Sequence, residues 1–156
     1  MEANKDEIIW ILDALKETQK RIAAASKGVS LAKLHAQADK KTWSVNDILA
    51  HIRSSSDVWG DSIEAMLTQE MPKLPDIHPR KWIKQTNYPE LDFHTSFKAY
   101  SEQRKTLLKT LMKLSFEDWS RGAMIGGRIH TVFTQARRIA KHDSDHCNQI
   151  EGMLKK

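Results

Sequence analysis

All four prolines of this 156-residue chain lie between positions 72 and 90, and long helical patterns flank this stretch on both sides. Proline has no backbone N–H and disfavours the helical conformation in the residue before it. The sequence therefore predicts two helical halves joined by a linker at residues 72 to 90. Fully extended, such a linker reaches about 60 Å, whereas a helix of roughly 25 residues spans about 38 Å. It is long enough to cross a helical bundle and begin the next helix at the far end.

Capping residues and apolar residues at helical spacing predict four long helices. Their predicted ranges are about Lys5 to Ser26, Ser44 to before Pro72, Asp92 to about Leu114, and about Thr131 to the C-terminus. Shorter features are expected in the connectors: a helical turn through Leu31 and Leu34, a turn at residues 115 to 118, and a small hairpin around Gly126-Gly127. The fold class predicted is all-α, a four-helix bundle.

Length, charge and cysteine content restrict the class of protein. The length suits a single domain over residues 1 to 156 with a buried core. No apolar run approaches a membrane span, and the N-terminus lacks the pattern of a signal peptide, so we expect a cytoplasmic protein. Its one cysteine cannot form an internal disulfide, which fits a reducing compartment. The net charge of +5 is spread among acidic residues without a basic block or known motif, so nucleic-acid binding is disfavoured.

Two histidines of the last predicted helix, His142 and His146, stand four residues apart on the side that also carries Ile139 and Ile150. Side chains at this spacing lie above one another, so their imidazoles can converge on one ion. On an apolar side each would otherwise need another partner for its nitrogens. For this pair alone, ordinary core or surface histidines are an equal alternative.

A third histidine, His51, lies at the edge of the apolar stripe of the second helix, beside the small polar residues Ser55 and Ser62. These serines would leave room next to His51 where large apolar residues would fill it. Three histidines from two helices match the protein part of a catalytic metal site that keeps positions open for water or substrate. The alternative for His51 is a half-buried histidine that donates to a carbonyl.

The neighbours of the histidine pair have less definite roles. Asp143 falls on the inner side of the last helix and could orient a ligand histidine or bind a metal-bound water; alternatively it pairs with a lysine or arginine. It replaces the glutamate of H-E-x-x-H metalloproteases and no third ligand follows at their spacing, so a protease is disfavoured. Cys147 lies about 100° around the helix from His146, which favours a small buried residue over a ligand. The other histidines are expected at the surface or outside the ligand set: His35, His78, His94 and His130.

The segment WSVNDILAH, which ends at His51, together with His142-x-x-x-His146-x-x-Gln149-Ile150, resembles the DinB/YfiT-like superfamily. The resemblance implies an up-down-down-up bundle with a long crossover between the second and third long helices. It also implies a divalent metal ion, most often zinc or nickel, held by His51, His142 and His146. Relatives include S-transferases and isomerases that use bacillithiol or mycothiol. A small-molecule substrate, a low-molecular-weight thiol and a homodimer are therefore implied here.

The leading hypothesis is a metal-dependent enzyme, either a thiol-dependent S-transferase or a hydrolase, in which a divalent ion would acidify water or a thiol. The competing hypothesis is a non-enzymatic four-helix bundle, with a structural metal or none. A third reading is a binding module in which some of the five tryptophans line a cavity for a small ligand.

Overall fold

The computed structural model describes residues 1 to 155, and most of them lie in helices. In chain order the elements are α1 (Lys5–Ser26), α2 (Leu31–His35), α3 (Val45–Thr68), β1 (Lys73–Leu74), α4 (Pro79–Trp82), α5 (Phe93–Met112), β2 (Gly122–Ile125), β3 (Arg128–Thr131) and α6 (Val132–Met153). Short 3-10 turns cover Ile83–Gln85, Tyr88–Glu90 and Glu117–Ser120. The four long helices α1, α3, α5 and α6 form the predicted bundle. No helix in the described part of the chain is both long and apolar enough to cross a membrane.

The long helices begin where their capping signals lie. At the start of α3 the Ser44 hydroxyl accepts a hydrogen bond from the Asp47 N–H at 3.0 Å, and the Asp47 carboxylate accepts one from the Ser44 N–H at 2.9 Å. This reciprocal pair satisfies two backbone donors that the first turn leaves unpaired. The Asn4 side chain caps α1 in the same position at 2.8 Å. The predicted starts of α1 and α3 are therefore confirmed. They could be predicted because capping hydrogen bonds form between residues within one helical turn.

Contacts near the helix ends give the direction of α1 relative to α6. Arg137 near the start of α6 donates to Glu7 near the start of α1, at 3.2 Å. Arg21 near the end of α1 donates to Glu151 near the end of α6. The two helices therefore lie side by side and run in the same direction.

The other long helices, α3 and α5, also run in parallel, and both are antiparallel to α6. Arg53 of α3 donates to Ser96 of α5 at 3.1 Å, and Gln103, two turns further along α5, donates to Asp57 at 2.6 Å. Gln135 near the start of α6 meets Ser62 near the end of α3. The crossover at residues 72 to 90 therefore returns the chain to the end of the bundle where α3 began.

Two apolar clusters fill the bundle, one toward each end. One contains Ile11, Leu15, Trp59, Ile63, Met66, Leu111, Trp119, Ala123 and the first two turns of α6. The other contains Ile22, Leu34, Val45, Ile48, Leu49, Ile52, Phe93, Tyr100, Cys147, Ile150 and Leu154. Between them each long helix contributes a buried polar side chain to one layer: Thr18, Ser55, Arg104 and Asp143. Burying polar groups in the middle of a bundle costs desolvation energy. Such costly features often belong to functional sites.

The linker at residues 72 to 90 is more ordered than an extended crossover. One carboxylate oxygen of Asp57 on α3 accepts hydrogen bonds from the Trp82 indole at 3.0 Å and the Tyr88 hydroxyl at 2.6 Å. The guanidinium of Arg53 lies 3.7 Å from the centre of the Tyr88 ring. The linker is therefore fixed along one side of α3.

The small hairpin predicted around Gly126-Gly127 is present as β2 and β3, paired antiparallel. Both glycines have positive φ, 56° and 80°, as a two-residue type I′ turn requires. A third strand, β1, pairs parallel to β2 and was not predicted. This strand contains only two residues, Lys73 and Leu74, and is held by backbone pairing. Two residues are too few to show the alternating pattern from which a strand is predicted.

Candidate metal centre

The three predicted ligand histidines meet between α3 and α6. Nε2 of His51 lies 2.9 Å from Nε2 of His142, and ligand nitrogens of both lie within 4.8 Å of one on His146. His51 is only 8% exposed, and the two histidines of α6 are half-buried. His142 and His146 share a face because they stand one turn apart, and the antiparallel α3 brings His51 to that face.

Two of the imidazoles are oriented by acceptors on their outer nitrogens. His142 Nδ1 donates to Oδ1 of Asp143 at 3.0 Å, and His146 Nδ1 donates to Oε1 of Gln149 at 2.9 Å. With these protons on Nδ1, the Nε2 lone pairs of both rings are available for an ion. Such outer hydrogen bonds are the usual way in which proteins fix the tautomer of a ligand histidine.

The donor set fits a divalent ion. Two nitrogens that bind one zinc ion at about 2.0–2.1 Å lie about 3.3 Å apart in a tetrahedral site. The 2.9 Å between the nitrogens of His51 and His142 requires only a small shift to reach that value. Without an ion, one of these nitrogens must carry a proton and donate to the other. Three imidazoles suit several late first-row ions, so the cluster fits zinc and nickel equally.

The electrostatics of the cluster favour neutral imidazoles. The pKa of His51 is lowered from 6.5 to about 4, first because burial penalises its charged form and then because His142 and His146 lie close by. Burial also lowers the pKa of His146, against the hydrogen bond to Gln149 that raises it. A histidine must be neutral to bind a metal, so these two rings are in the ligand form at neutral pH.

Two tryptophans enclose the cluster from opposite sides. The Trp43 ring lies 5.0 Å from the His51 ring, and the Trp59 ring meets the His142 ring edge-on at 5.0 Å. Arg138 packs over the Trp59 ring, with its guanidinium 4.6 Å from the ring centre. An open groove lined by Trp43, His51 and Arg80 borders the cluster on the Trp43 side.

Asp143 is fully buried beside the cluster and pairs with Arg104 of α5. The guanidinium of Arg104, itself 1% exposed, also donates to the Thr18 hydroxyl at 2.7 Å and to the Leu15 carbonyl at 3.1 Å. An ion pair in this position must be well hydrogen-bonded to offset desolvation, and the three helices supply those bonds. Thr18, Arg104 and Asp143 of the polar layer thus form a connected network that ends on Nδ1 of His142, whereas the Ser55 hydroxyl has no hydrogen-bond partner among residues 1–155.

The sequence analysis missed Arg104, although its position carries a signal. The buried stripe of α5 repeats at steps of three and four residues: Phe93, Phe97, Tyr100, Arg104, Leu107 and Leu111. A charged residue in such a stripe needs a buried partner. Asp143 is the corresponding exception in the inward stripe of α6, but the sequence does not specify which helices are neighbours at this level.

The remaining histidines and the cysteine stand apart from the cluster. His35, His78 and His94 are exposed, and the first two accept backbone N–H groups at 3.1 Å. Cys147 is buried and donates to the Thr18 carbonyl at 3.5 Å. Burial raises the pKa of its thiol to about 12, so it is not a thiolate at neutral pH.

Comparison with known proteins places this architecture in a family. The solved structure of YfiT from Bacillus subtilis, described as a probable metal-dependent hydrolase with an unusual four-helix bundle topology, superimposes with a TM-score of 0.78. The alignment covers 97% of this chain and 88% of YfiT at 16% sequence identity, which establishes a common fold. No curated protein sequence matches significantly. The sequence profile of the DinB superfamily matches residues 14–150, nearly the whole chain, so the protein belongs to the DinB superfamily.

Proposed function

We propose that the protein is a divalent-metal-dependent enzyme that catalyses attack of water or of a small-molecule thiol on an electrophilic carbon. The observation that carries the proposal is the convergence of His51, His142 and His146 with two of the outer nitrogens already held. A structural zinc ion usually has four protein ligands, whereas a catalytic one has three and an open position. Three ligands and no fourth among residues 1–155 favour the catalytic kind of site.

When bound, a divalent ion would supply Lewis acidity and would lower the pKa of a coordinated water or thiol toward neutrality. The protein residues have separate tasks. His51, His142 and His146 would hold the ion, and Asp143 keeps His142 in the tautomer that presents Nε2. Arg104 keeps the Asp143 carboxylate in place and compensates its charge. Trp43 and Trp59 pack against the rings of His51 and His142.

Hydrolysis and thiol transfer are both compatible with this site. The description of YfiT as a probable metal-dependent hydrolase supports the first, and the resemblance to thiol-dependent S-transferases supports the second. The single cysteine cannot serve as the attacking sulfur, because Cys147 is buried and its thiol pKa is raised to about 12. In a transfer reaction the sulfur would therefore come from a low-molecular-weight thiol. Zinc or nickel is the proposed metal, and the homodimer and the cytoplasmic location stay predictions.

The first experiment is elemental analysis of tag-free protein purified without chelator, beside His142→Ala and the control His94→Ala. His94 is an exposed histidine at the start of α5, away from the cluster. We expect about one equivalent of metal in the parent and in the control and almost none in His142→Ala. Equal metal content in parent and His142→Ala would reject the ligand assignment.

The second experiment tests the reaction class on the metal-loaded protein. Release of product from activated esters and amides is compared with consumption of thiol in the presence of an electrophile, each with parent and His142→Ala. Activity that disappears with the metal would support the enzyme. Full metal occupancy without either activity would favour the non-enzymatic bundle.

A further inference from the structure

A second feature of the α3–α6 groove is a cavity of about 440 Å³ that lies beyond Trp59 from the histidines. Its apolar wall comes from Val58 and Trp59 on α3, Leu74 on β1 and Ile125 on β2. Its volume and mixed lining are those of small-molecule sites in proteins. The small sheet and the start of the linker form the outer side of this cavity, so these additions to the bundle have a role in enclosing it.

The cavity and the histidine cluster occupy consecutive turns of the same helices. Arg138 and Gln135 of α6 line the cavity, and they precede His142 by four and seven residues. At 1.5 Å per residue these offsets correspond to about 6 Å and about 10 Å along the helix axis. Trp59 belongs to both sites, because it lines the cavity and contacts the His142 ring. A molecule of ordinary metabolite size could fill the cavity and still place one end beside the histidines.

Two arginines line the cavity: Arg138 lies on α6, one turn before His142, and Arg128 lies at the hairpin turn, paired with Ile125. Within residues 1–155 neither forms an ion pair with a carboxylate. Burial lowers the pKa of His130, which also lines the cavity; Arg138 lowers it further and Asp76 raises it, so both charged groups lie near this ring. An anion beside Arg138 would gain a charge-assisted hydrogen bond that the protein itself does not provide.

The lining also contains two carboxylates, Asp61 and Asp76, and neither forms an ion pair with Arg138. Asp61 borders a second groove between α3 and α5, and its pKa is raised first by burial and then by the like charges of Asp57 and Glu64. Asp76 lies against the hairpin turn, where a Cβ added at Gly126 would come within 2.9 Å of its side chain.

The floor of the cavity contains an acceptor without a donor. Gln135 is 2% exposed; its Nε2 donates to the Ser62 hydroxyl at 2.9 Å, and that hydroxyl donates its only proton to the Trp59 carbonyl at 2.6 Å. This chain fixes the orientation of the amide, since Ser62 can only accept from it. Oε1 of Gln135 is left buried with no hydrogen-bond partner. The described part of the protein supplies no donor to this oxygen.

We infer that this cavity binds the non-reacting part of the substrate, and that the substrate is a small organic acid with an apolar body, its anionic group at Arg138. The inference rests on the proposed function, because it assigns the cavity to the substrate of the histidine site. Arg138 is then a specificity residue, and Trp59 separates the binding cavity from the reacting end.

Binding is tested with N-acetyl-L-leucine, which joins a branched apolar body, an N–H group and a carboxylate, and with its neutral carboxamide. A ligand of this size is expected to bind with a dissociation constant on the order of millimolar. Titrations of metal-free protein follow the indole N–H resonance of Trp59, assigned with Trp59→Phe, by NMR. We expect saturable shifts for the carboxylate and about tenfold weaker binding of the carboxamide.

The variant Arg138→Met should weaken binding of the carboxylate about tenfold and leave the carboxamide unchanged, whereas the control Lys141→Met should change neither. Lys141 is an exposed cation of the same helix and does not line the cavity. Each of three results would overturn the inference. The first is no saturable binding, and the second is a Trp59 resonance that does not move. The third is that the parent binds the carboxylate no more tightly than the carboxamide, as Arg138→Met does.

The same titration separates this inference from the proposed metal site. His142→Ala should lose the metal and retain the affinity for N-acetyl-L-leucine, since the cavity does not include that residue. If the parent binds the probe but no metal, the proposed enzyme fails and the binding cavity stands. If it binds metal but not the probe, the cavity assignment fails and the metal site stands.

Discussion

Oδ1 of Asp143 lies 3.0 Å from Nδ1 of His142, and the two residues are adjacent on α6. Neighbours in a helix normally point about 100° apart, so this contact depends on Arg104, which binds the second carboxylate oxygen and holds it in the bundle core. The aspartate thus links a buried cation on one side to a candidate metal ligand on the other. Its removal should therefore change both metal affinity and folding stability.

The first prediction concerns Asp143→Asn. The amide keeps the shape of the side chain but loses the charge that favours a proton on Nδ1 of His142. Loss of such an outer-shell carboxylate typically costs 10–100-fold in metal affinity, so we expect a zinc dissociation constant raised by about that factor. Competition with a chromophoric chelator measures it. An unchanged affinity would mean that the carboxylate does not act on the ligand.

The second prediction concerns Arg104→Met. Removing one partner of a buried ion pair leaves the other charge uncompensated, and we expect the free energy of unfolding to fall by about 3–5 kcal/mol. The double variant Arg104→Met/Asp143→Leu replaces both charges with apolar groups and should recover most of this stability. Urea denaturation of the metal-free proteins measures both. If the double variant stays as unstable as the single one, the loss comes from packing and not from the unpaired Asp143.

The double variant also isolates the functional role of the pair. It should fold well and still bind metal about 10–100-fold more weakly than the parent, because His142 has lost its acceptor. A purely structural pair would give recovery of both properties. Stability and metal affinity measured on one preparation therefore distinguish a positioning role from a structural one.

Much of this fold could be predicted from local sequence. The capping residues Asn4 and Ser44 determine where α1 and α3 begin through contacts within four residues, and such signals survive in any context. The spacing of His142 and His146 and the edge position of His51 also follow from helical geometry. Joining the three into one ligand set relied on the resemblance to the DinB/YfiT-like superfamily, because helical geometry does not say which helices are neighbours.

What could not be predicted depends on contacts distant in sequence. The pairing of Arg104 with Asp143 spans 39 residues, and the ties of Asp57 to Trp82 and Tyr88 require the path of the linker. The cavity beyond Trp59 is assembled from helix, strand and loop, none of which carries a motif for it. These contacts and the cavity depend on the directions of the helices and on the path of the linker. The spacing of apolar residues along the sequence specifies neither of them.

The third prediction is a pH dependence of the metal-free protein. The pKa of His51 is lowered to about 4 in the fold, against an ordinary value of 6.5 when unfolded. Between these two pH values the unfolded chain binds more protons than the folded protein does. The free energy of unfolding therefore falls as the pH decreases from about 6.5 toward 4. The lowered pKa of His146 acts in the same direction. Urea denaturation at several pH values should show this slope, and His51→Gln should reduce it; an equal slope in both proteins would contradict the prediction.

The fourth prediction concerns the attachment of the linker. Asp57→Ala removes the acceptor of Trp82, Tyr88 and Gln103, and the loss of hydrogen bonds to a charged group should cost about 2 kcal/mol of stability. Hydrogen exchange should rise in residues 79–90 more than in α1. The matched control Asp61→Ala removes an exposed acid one turn later and should have little effect. Equal protection of the linker in parent and Asp57→Ala would show that other contacts hold it.

The last prediction concerns removal of the metal. The two apolar clusters are packed without help from the histidines, so the metal-free protein should keep its helical content and unfold cooperatively. Chelation of the metal-loaded protein should lower the melting temperature only by the binding energy that the folded state loses. Adding chelator to protein that was never given metal should leave the melting temperature unchanged. Circular dichroism at 222 nm with thermal melting, with and without chelator, measures this in the parent and in His142→Ala. A loss of helicity or of cooperativity on chelation, absent in His142→Ala, would instead identify a structural metal and would remove the main support for an enzyme.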